Sequence, residues 1–311
     1  MHKKSPPRVQ LYILSRDRPY FFKQSLASAI KQTCDQFEII VSDNSESDEI
    51  SQWMAIEHPN IKYIRRTPTL PALLHFKTLI EECDAEFTVL FHDDDTLNPI
   101  YIKSMLEHMD KNTNISAIGC NANYILNETP SKQTLIQKNK APNIIKNTSE
   151  LLNYYFALSM YAAPPFPGYM YRTKFIKGLF LDAGTGGKHA DVSFLAALQS
   201  LAPILIVSDI LMNYRLHSSN DSQIEDIAAR LKLLRHLANT YSINKKNIAI
   251  QDYRFSYWLR YYKNKKKLNQ NLKNSVVRKF LFFNAIKIAL TRKILWEKLL
   301  FKITNKFKNV I

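Results

Sequence analysis

The sequence predicts an α/β fold, with a mainly parallel sheet flanked by helices, followed by a basic helical extension. Strand-like apolar runs alternate with helix-length amphipathic stretches between residues 9 and 110. This order implies parallel strands that are buried on both faces. The distribution of charge along the chain predicts the basic extension. Residues 251–311 hold 16 Lys and Arg but only two acids, whereas the first 250 residues are close to neutral. We therefore expect two domains, residues 1–222 and 223–311.

The expected elements of the first domain alternate along the chain. The strands are Val9–Leu14, Phe37–Ser42, Ile61–Arg65 and Phe87–Phe91, and the helices are Pro19–Gln32, Asp48–His58, Leu70–Cys83 and Pro99–Asp110. Ligands of such open sheets bind beyond the carboxyl ends of the strands. Polar clusters follow three of these ends, at residues 15–17, 43–45 and 92–95.

The most informative cluster is the run of three aspartates, Asp93, Asp94 and Asp95, that follows His92. Adjacent carboxylates repel one another, so a stable fold either exposes them to water or neutralises them with a cation. Oxygen ligands of this kind suit Mg²⁺ or Mn²⁺, which leave coordination positions for phosphates. The alternative is a solvated acidic loop that caps the helix at Pro99. Placement at the tip of a buried strand favours the metal site.

Two later segments also carry candidate functional residues. Three of the six glycines lie at positions 184, 186 and 187, directly before Asp191 and a predicted helix from Val192 to Ser200. Such a loop is typical of a mobile segment or of a close approach of backbone to a ligand. Asp191 either caps the helix or acts as a general base, and the two roles are compatible. Farther along, Leu211–Ser222 is expected to contain an edge strand.

Composition argues against several classes of protein. With six glycines, the chain has no glycine-rich phosphate loop of the dinucleotide-binding or P-loop type. Its three cysteines are far apart and lack metal-site spacing, which indicates small buried side chains in a reducing compartment. We expect neither a signal peptide nor a membrane-spanning helix, since no uncharged apolar run reaches the ~18 residues that spanning requires.

Several motifs occur in a recognisable order: Val9–Pro19, Ser25-Leu26, Gln32-Thr33, Glu38–Ser45, and the acidic run followed by Pro99. This order resembles a family-2 glycosyltransferase of the GT-A fold, and the resemblance covers Val9 to about Ser222. It implies that the first two loops cradle the nucleoside of a nucleotide sugar. Ser15 and Asp43 would then contact the uridine or its ribose, Arg16 would stack through its guanidinium plane, and Arg65 would face the diphosphate.

In that family the acidic cluster holds a divalent metal on the donor diphosphate. The resemblance therefore implies Mn²⁺ or Mg²⁺ bound by Asp94 and Asp95, with Asp93 beside the donor. His92 stands in this chain where the family has its leading carboxylate. The resemblance therefore fixes the positions of the metal ligands only to within one residue.

The resemblance also assigns roles to the later segments. Asp191 matches the general base that deprotonates the acceptor hydroxyl. His217 resembles a family histidine that reaches the metal or the diphosphate, and Arg215 is a further contact to the donor. Pro164–Gly168 resembles the wall of the acceptor site.

The basic extension carries an apolar stripe at every fourth position. Its members are Leu295, Leu299, Ile303 and Phe307, with Lys298, Lys302 and Lys306 beside them. A basic amphipathic helix lies on an anionic membrane surface more readily than it follows a nucleic acid. Helical packing on the first domain is the second possibility, and a nucleic acid is the third. We expect an anionic membrane partner and no nucleic acid.

The resemblance, together with the basic extension, implies an inverting hexosyl- or N-acetylhexosaminyl-transferase, peripheral on the inner face of the cytoplasmic membrane. It is expected to pass a sugar from a UDP-linked donor to a lipid-linked or growing glycan, in the synthesis of a bacterial lipopolysaccharide, O-antigen or capsule. A sugar nucleotidyltransferase is the runner-up, although such enzymes normally need a glycine-rich N-terminal loop. A non-catalytic membrane scaffold that retains a nucleotide-sugar-binding fold is the other alternative.

Overall fold

The structure, a computed structural model, describes residues 6–126, 128–136, 143–156, 163–216, 227–244 and 247–252, with isolated residues between 255 and 296. The chain divides into two compact units. The first comprises Met1–Thr148 and Ala162–His236, and the second comprises Ser149–Tyr161 and Leu237–Ile311. The predicted domain boundary at residue 222 lies outside the described residues, as do His217 and the apolar stripe of the extension.

One sheet forms the centre of the first unit. Its strands are β1 (Val9–Ser15), β2 (Phe37–Asp43), β3 (Lys62–Arg65), β4 (Phe87–His92), β5 (Thr96–Leu97), β6 (Ala117–Leu126), β7 (Thr129–Thr134), β8 (Asn143–Ile145), β9 (Tyr169–Arg172) and β10 (Ile204–Arg215). They lie in the order β3-β2-β1-β4-β9-β6-β10-β5, with β7 paired to β6 and β8 to β10. Strands β1 to β4 are mutually parallel, and β9 runs antiparallel to both of its neighbours.

Helices alternate with these strands along the chain. They are α1 (Pro19–Ile30), α2 (Glu49–Glu57), α3 (Ala72–Glu82), α4 (Tyr101–Lys111), α5 (Thr148–Phe156), α6 (Thr173–Ile176), α7 (Ala183–Gly186), α8 (Ala190–Leu201) and α9 (Ile227–Thr240). None of the helices in the described part of the chain has the length and apolar content that crossing a bilayer requires.

The core explains why the first elements form where the sequence predicts them. Every residue of β1 is buried. On α1, which begins with Pro19 in its first turn, Phe22, Leu26 and Ala29 repeat at helical spacing and are fully buried. Each large side chain among them contributes about 1.5–3 kcal/mol through removal from water. The four predicted strands and four predicted helices are all present, with ends that differ by at most two residues.

The prediction of an edge strand at Leu211 is wrong, because β10 lies inside the sheet. It pairs with β6 on one side, and on the other side Met212 and Asn213 pair with β5. Strand β5 has only two residues, which is too short to give a periodic signal in the sequence. It follows the acidic run directly and turns back antiparallel to β10, so it covers the edge that β10 would otherwise expose.

Candidate active site

The carboxyl ends of β1, β2 and β4 meet at one edge of the sheet. Register places Ser15 opposite Asp43 and Leu14 opposite His92, so the three polar clusters of the sequence lie side by side. Ser15 and Asp43 are both buried there. The structure therefore brings the predicted nucleoside residues next to the acidic run.

Asp93 is buried beneath the loop that follows β1. Its Oδ2 accepts a hydrogen bond from the Arg16 amide at 2.9 Å, and its Oδ1 lies 2.5 Å from Nη2 of Arg18. Burial raises the pKa of Asp93 to about 7, an effect that Arg18 opposes and the charge of Asp94 reinforces. The Arg16 side chain is instead half-exposed and lies 3.6 Å from Glu46, so its backbone, rather than its guanidinium, touches the acidic run.

Arg18 bridges two of the aspartates. Its Nη1 donates to Oδ2 of Asp94 at 2.6 Å, while Nη2 faces Asp93. The loop fixes this position: Asp17 has a left-handed φ of 50°, and its Oδ1 accepts the amides of Glu46 and Ser47. An arginine in this place neutralises a cluster that would otherwise repel itself.

His92, Asp94 and Asp95 form a set that could hold a metal ion. One potential ligand atom from each lies within 4.8 Å of the others. Nε2 of His92 and Oδ2 of Asp95 are buried and have no hydrogen-bond partner among the residues that the structure describes. Burial lowers the pKa of His92, which keeps its imidazole neutral, and raises the pKa of Asp95 well above its ordinary value. Two orphaned buried acceptors beside a carboxylate fit a hard divalent cation such as Mn²⁺ or Mg²⁺.

Arg215 links the end of β10 to the same loop. Its amide donates to Oδ1 of Asp95 at 2.8 Å and its Nε donates to the carbonyl oxygen of Asp94 at 2.8 Å. The two Nη atoms donate to Glu128 and Gln24, at 2.9 and 2.6 Å. The guanidinium predicted to contact the donor is thus surrounded by protein acceptors and is only 3% exposed.

The end of β2 forms a second polar group. Oδ2 of Asp43 accepts hydrogen bonds from Tyr63 and, at 2.7 Å, from Nη1 of Arg65, while its Oδ1 accepts the amide of Ser45. Burial and the hydrogen bond to Asp43 raise the pKa of Tyr63 to about 12. Arg65 therefore neutralises Asp43 directly, and this pair lies at the predicted nucleoside edge.

Asp191 lies in the first turn of α8, where His189 occupies the cap position, so the expectation that Asp191 itself caps the helix is wrong. Removal from water raises its pKa to about 6. The predicted loop before it is largely ordered as α7 and the 3₁₀ turn Gly187–His189.

An aromatic cluster connects this helix to the acidic run. The ring of Phe166 lies 6.4 Å from His92, 6.3 Å from Tyr171 and 6.0 Å from Phe194, which is one turn after Asp191 on α8. Phe166 belongs to the predicted acceptor-side wall. The metal-ligand candidates and the candidate base thus border one group of rings.

Comparison with known proteins decides the family. The sequence model of glycosyl transferase family 2 matches residues 13–170, just over half of the chain. The chain belongs to this family. No curated protein matches it significantly by sequence.

Solved structures of glycosyltransferases share the fold. S. aureus TarS residues 1–349 in complex with UDP-GlcNAc is 14% identical, with a TM-score of 0.61 over 91% of this chain and 80% of that one. The mannosyltransferase PcManGT from Pyrobaculum calidifontis, in complex with GDP-Man and Mn²⁺, is 11% identical, with a TM-score of 0.51 over 90% of this chain and 86% of that one. The predicted GT-A fold and family are confirmed, and the chain is a family-2 glycosyltransferase.

Sequence reasoning on this family-2 chain missed several residues of the site. His92 was treated as a departure from the family pattern, yet it lies with Asp94 and Asp95. Arg18 was not assigned a role, although an arginine between a strand end and a helix-starting proline was a usable signal. Glu128 and Gln24 gave no local signal, because they join the site only through Arg215.

Proposed function

We propose that this chain is an inverting glycosyltransferase that moves a hexosyl or N-acetylhexosaminyl group from a UDP-sugar to a lipid-linked or growing glycan of a bacterial surface polysaccharide. One observation carries the proposal. At the sheet edge of a family-2 fold, Asp95 and His92 present buried polar atoms that have no partner in the described part of the chain, beside Asp94. A site of this composition suits the metal-bound diphosphate of a nucleotide sugar. The complexes of TarS with UDP-GlcNAc and of PcManGT with GDP-Man and Mn²⁺ support this class of donor.

His92, Asp94 and Asp95 would hold the cation, Mn²⁺ or Mg²⁺. A cation held there supplies positive charge to the leaving diphosphate. Asp93, buried under the β1–α1 loop, and Arg18 adjoin this site, and Arg215 orients Asp94 and Asp95 through its hydrogen bonds. His217, which lies outside the described residues, would be a further ligand from the segment after β10.

The nucleoside would lie along the ends of β1 and β2. Ser15 and the pair of Asp43 and Arg65 offer buried polar atoms for its base and ribose. Arg16, with its exposed guanidinium, would stack on the nucleoside or face the diphosphate.

Asp191 would act as the general base. Its carboxylate accepts the proton of the acceptor hydroxyl while that oxygen bonds to the anomeric carbon and the bond from that carbon to the diphosphate oxygen breaks. A single displacement of this kind inverts the anomeric centre. With a pKa of about 6, Asp191 is largely ionised at neutral pH yet remains basic enough to take the proton.

We also propose that the extension binds the cytoplasmic face of an anionic membrane. Residues 251–311 carry a net charge of +14. Phe283 and Leu290, both helical and seven positions apart, are 65% and 68% exposed. Exposed apolar groups within a basic segment suit the lipid interface better than a phosphate backbone.

A screen of nucleotide sugars by thermal stabilisation tests the donor and the metal together. We expect at least one UDP-sugar to raise the Tm, and to do so more strongly with Mn²⁺ than with EDTA. Asp94→Ala should lose this metal-dependent shift and abolish transfer. Asp209→Ala is the control, because Asp209 is a half-exposed carboxylate on β10 that pairs with His108. Full turnover by Asp94→Ala with the metal chelated would contradict the assignment.

A further inference from the structure

The contact between Arg18 and the acidic run suggests a property beyond the binding of donor and metal. Arg18 lies 2.6 Å from Oδ2 of Asp94 and 2.5 Å from Oδ1 of Asp93. Asp94 is at the same time a member of the set with His92 and Asp95. A guanidinium and a divalent cation therefore compete for one carboxylate.

The loop holds this guanidinium in place before any ion binds. The Asp17 amide donates to Oγ of Ser45 at 2.7 Å, which ties the β1–α1 loop to the β2–α2 loop. Pro19 starts α1 immediately after Arg18 and restricts the backbone there. Arg18 thus reaches the aspartates from a fixed backbone, and only its side chain has to move for the contact to break.

The two halves of the contact differ in their surroundings. Asp93 is fully buried and lies outside the set of candidate metal ligands, whereas Asp94 is 13% exposed and belongs to it. The Arg18 side chain is 36% exposed, so water can solvate an Nη atom that leaves Asp94. Release from Asp94 with retention of Asp93 is accordingly the movement that the geometry permits.

We propose that Arg18 is a built-in counter-ion of this site, which binds Asp94 in the metal-free enzyme and releases it when a divalent cation enters. Metal binding is then an exchange of one cation for another, and Arg18 sets the concentration of metal at which the site fills. This inference rests on the proposed metal site. It adds a positioning residue that tunes metal affinity.

Titration with Mn²⁺ in the absence of nucleotide, followed through the EPR signal of the free ion, tests the exchange. Arg18→Gln should bind Mn²⁺ about tenfold more tightly than the wild type, because removal of a competing unit charge a few ångströms away favours the ion. With EDTA the variant should melt at a lower temperature, since the aspartates lose their counter-ion. The rise in Tm on addition of Mn²⁺ should then be larger than in the wild type.

Two further variants sharpen the result. Arg8→Gln is the matched control, because Arg8 also joins two carboxylates, Glu86 and Asp110, but precedes β1 whereas Arg18 follows it. It should lower the Tm and leave Mn²⁺ affinity unchanged. Arg18→Lys keeps the charge but cannot contact both aspartates through two Nη atoms. Its Mn²⁺ affinity should therefore rise about two- to threefold.

The outcomes separate the inference from the proposed function. Equal or weaker Mn²⁺ binding by both Arg18 variants, with binding by the wild type intact, overturns the inference alone. If neither the wild type nor the variants bind Mn²⁺, the proposed metal site fails and the inference fails with it. Binding by Arg18→Gln at concentrations where the wild type is empty supports both.

Discussion

The backbone amide of Arg215 donates a 2.8 Å hydrogen bond to Oδ1 of Asp95, although 120 positions separate the two residues in the sequence. The Arg215 side chain returns to the carbonyl oxygen of Asp94, and its guanidinium carbon lies 4.6 Å from the centre of the Phe21 ring. One residue at the end of β10 thus holds two consecutive aspartates at the end of β4. The shape of the acidic run depends on a strand that comes late in the chain.

Substitution of Arg215 should disturb the site through its architecture. Arg215→Met removes the donor to the Asp94 carbonyl, and we expect a loss of about 2 kcal/mol in the free energy of unfolding and weaker Mn²⁺ binding. Urea unfolding and Mn²⁺ titration measure these effects. Glu128→Gln is the control, because it alters only the half-exposed partner of Arg215 and should cost at most about 1 kcal/mol. An unchanged stability with a raised KM for the donor would instead show direct contact with the diphosphate.

The pH dependence of transfer should report Asp191. Its carboxylate must be ionised to accept a proton, so kcat should rise with pH through a midpoint near 6. Asp191→Asn should lower kcat by about 10²-fold or more and leave donor binding intact.

Stability separates this role from a structural one. Burial of the charged carboxylate raises its pKa, so the folded state binds the proton more tightly than the unfolded chain does, and stability falls as pH rises from about 4 to 6. The Tm of Asp191→Asn at pH 7 should therefore be no lower than that of the wild type. Asp182→Asn, which keeps the cap on the Gly184 amide, is the control and should retain its kcat. If Asp191→Asn lowers the Tm as well as kcat, the role of Asp191 is structural.

Two glycines with positive φ offer a matched pair of stability measurements. Gly187 has a φ of 58°, and a Cβ there would lie 2.6 Å from Cβ of Ala229. Gly178 has a φ of 80°, with no atom within 4 Å of such a Cβ. Gly178→Ala should cost about 1–2 kcal/mol from backbone strain alone, and Gly187→Ala should cost more and lower kcat, because Gly187 precedes α8. Equal losses in urea unfolding would argue against the steric account.

Vesicle sedimentation tests the extension. Deletion of residues 275–311 should abolish binding to anionic vesicles and preserve metal-dependent hydrolysis of the donor. Added salt should weaken wild-type binding without abolishing it, because each Lys contributes only about 1 kcal/mol of screened attraction whereas apolar insertion is unscreened.

Point variants examine the apolar contribution to vesicle binding separately. The double variant Phe283→Ser, Leu290→Ser should bind more weakly, whereas Ile56→Ser, at a 76% exposed position on α2, should bind as the wild type does. A steep collapse with salt and no preference for lipid would indicate nucleic acid instead.

The sequence predicted the first strands and helices well because their signals are local. Val9–Ser15 is a mostly apolar run, interrupted only by Gln10 and the final Ser15, and Phe22, Leu26 and Ala29 repeat at helical spacing. The middle of the sheet was less predictable. Strand β9 has four residues and lies antiparallel between β4 and β6, an arrangement set by pairing with distant strands.

The site shows the same division between local and distant information. The acidic run stood out because three carboxylates adjoin a buried strand. The partners of that run did not, because Arg18 and Arg215 reach it from 76 and 121 positions away. In the sequence alone, these two arginines look like charged residues on the protein surface.

The ring of Phe166 has a consequence for how enzymes with this arrangement diversify. It lies in a turn between Pro165 and Pro167 and packs against both His92, a candidate metal ligand, and Phe194, on the helix of the candidate base. The distance between His92 and the helix that carries Asp191 is therefore set by the packing of tilted and edge-to-face aromatic rings. Residues 183–189 take no part in these ring contacts, so exchange of that loop for another would leave this distance unchanged.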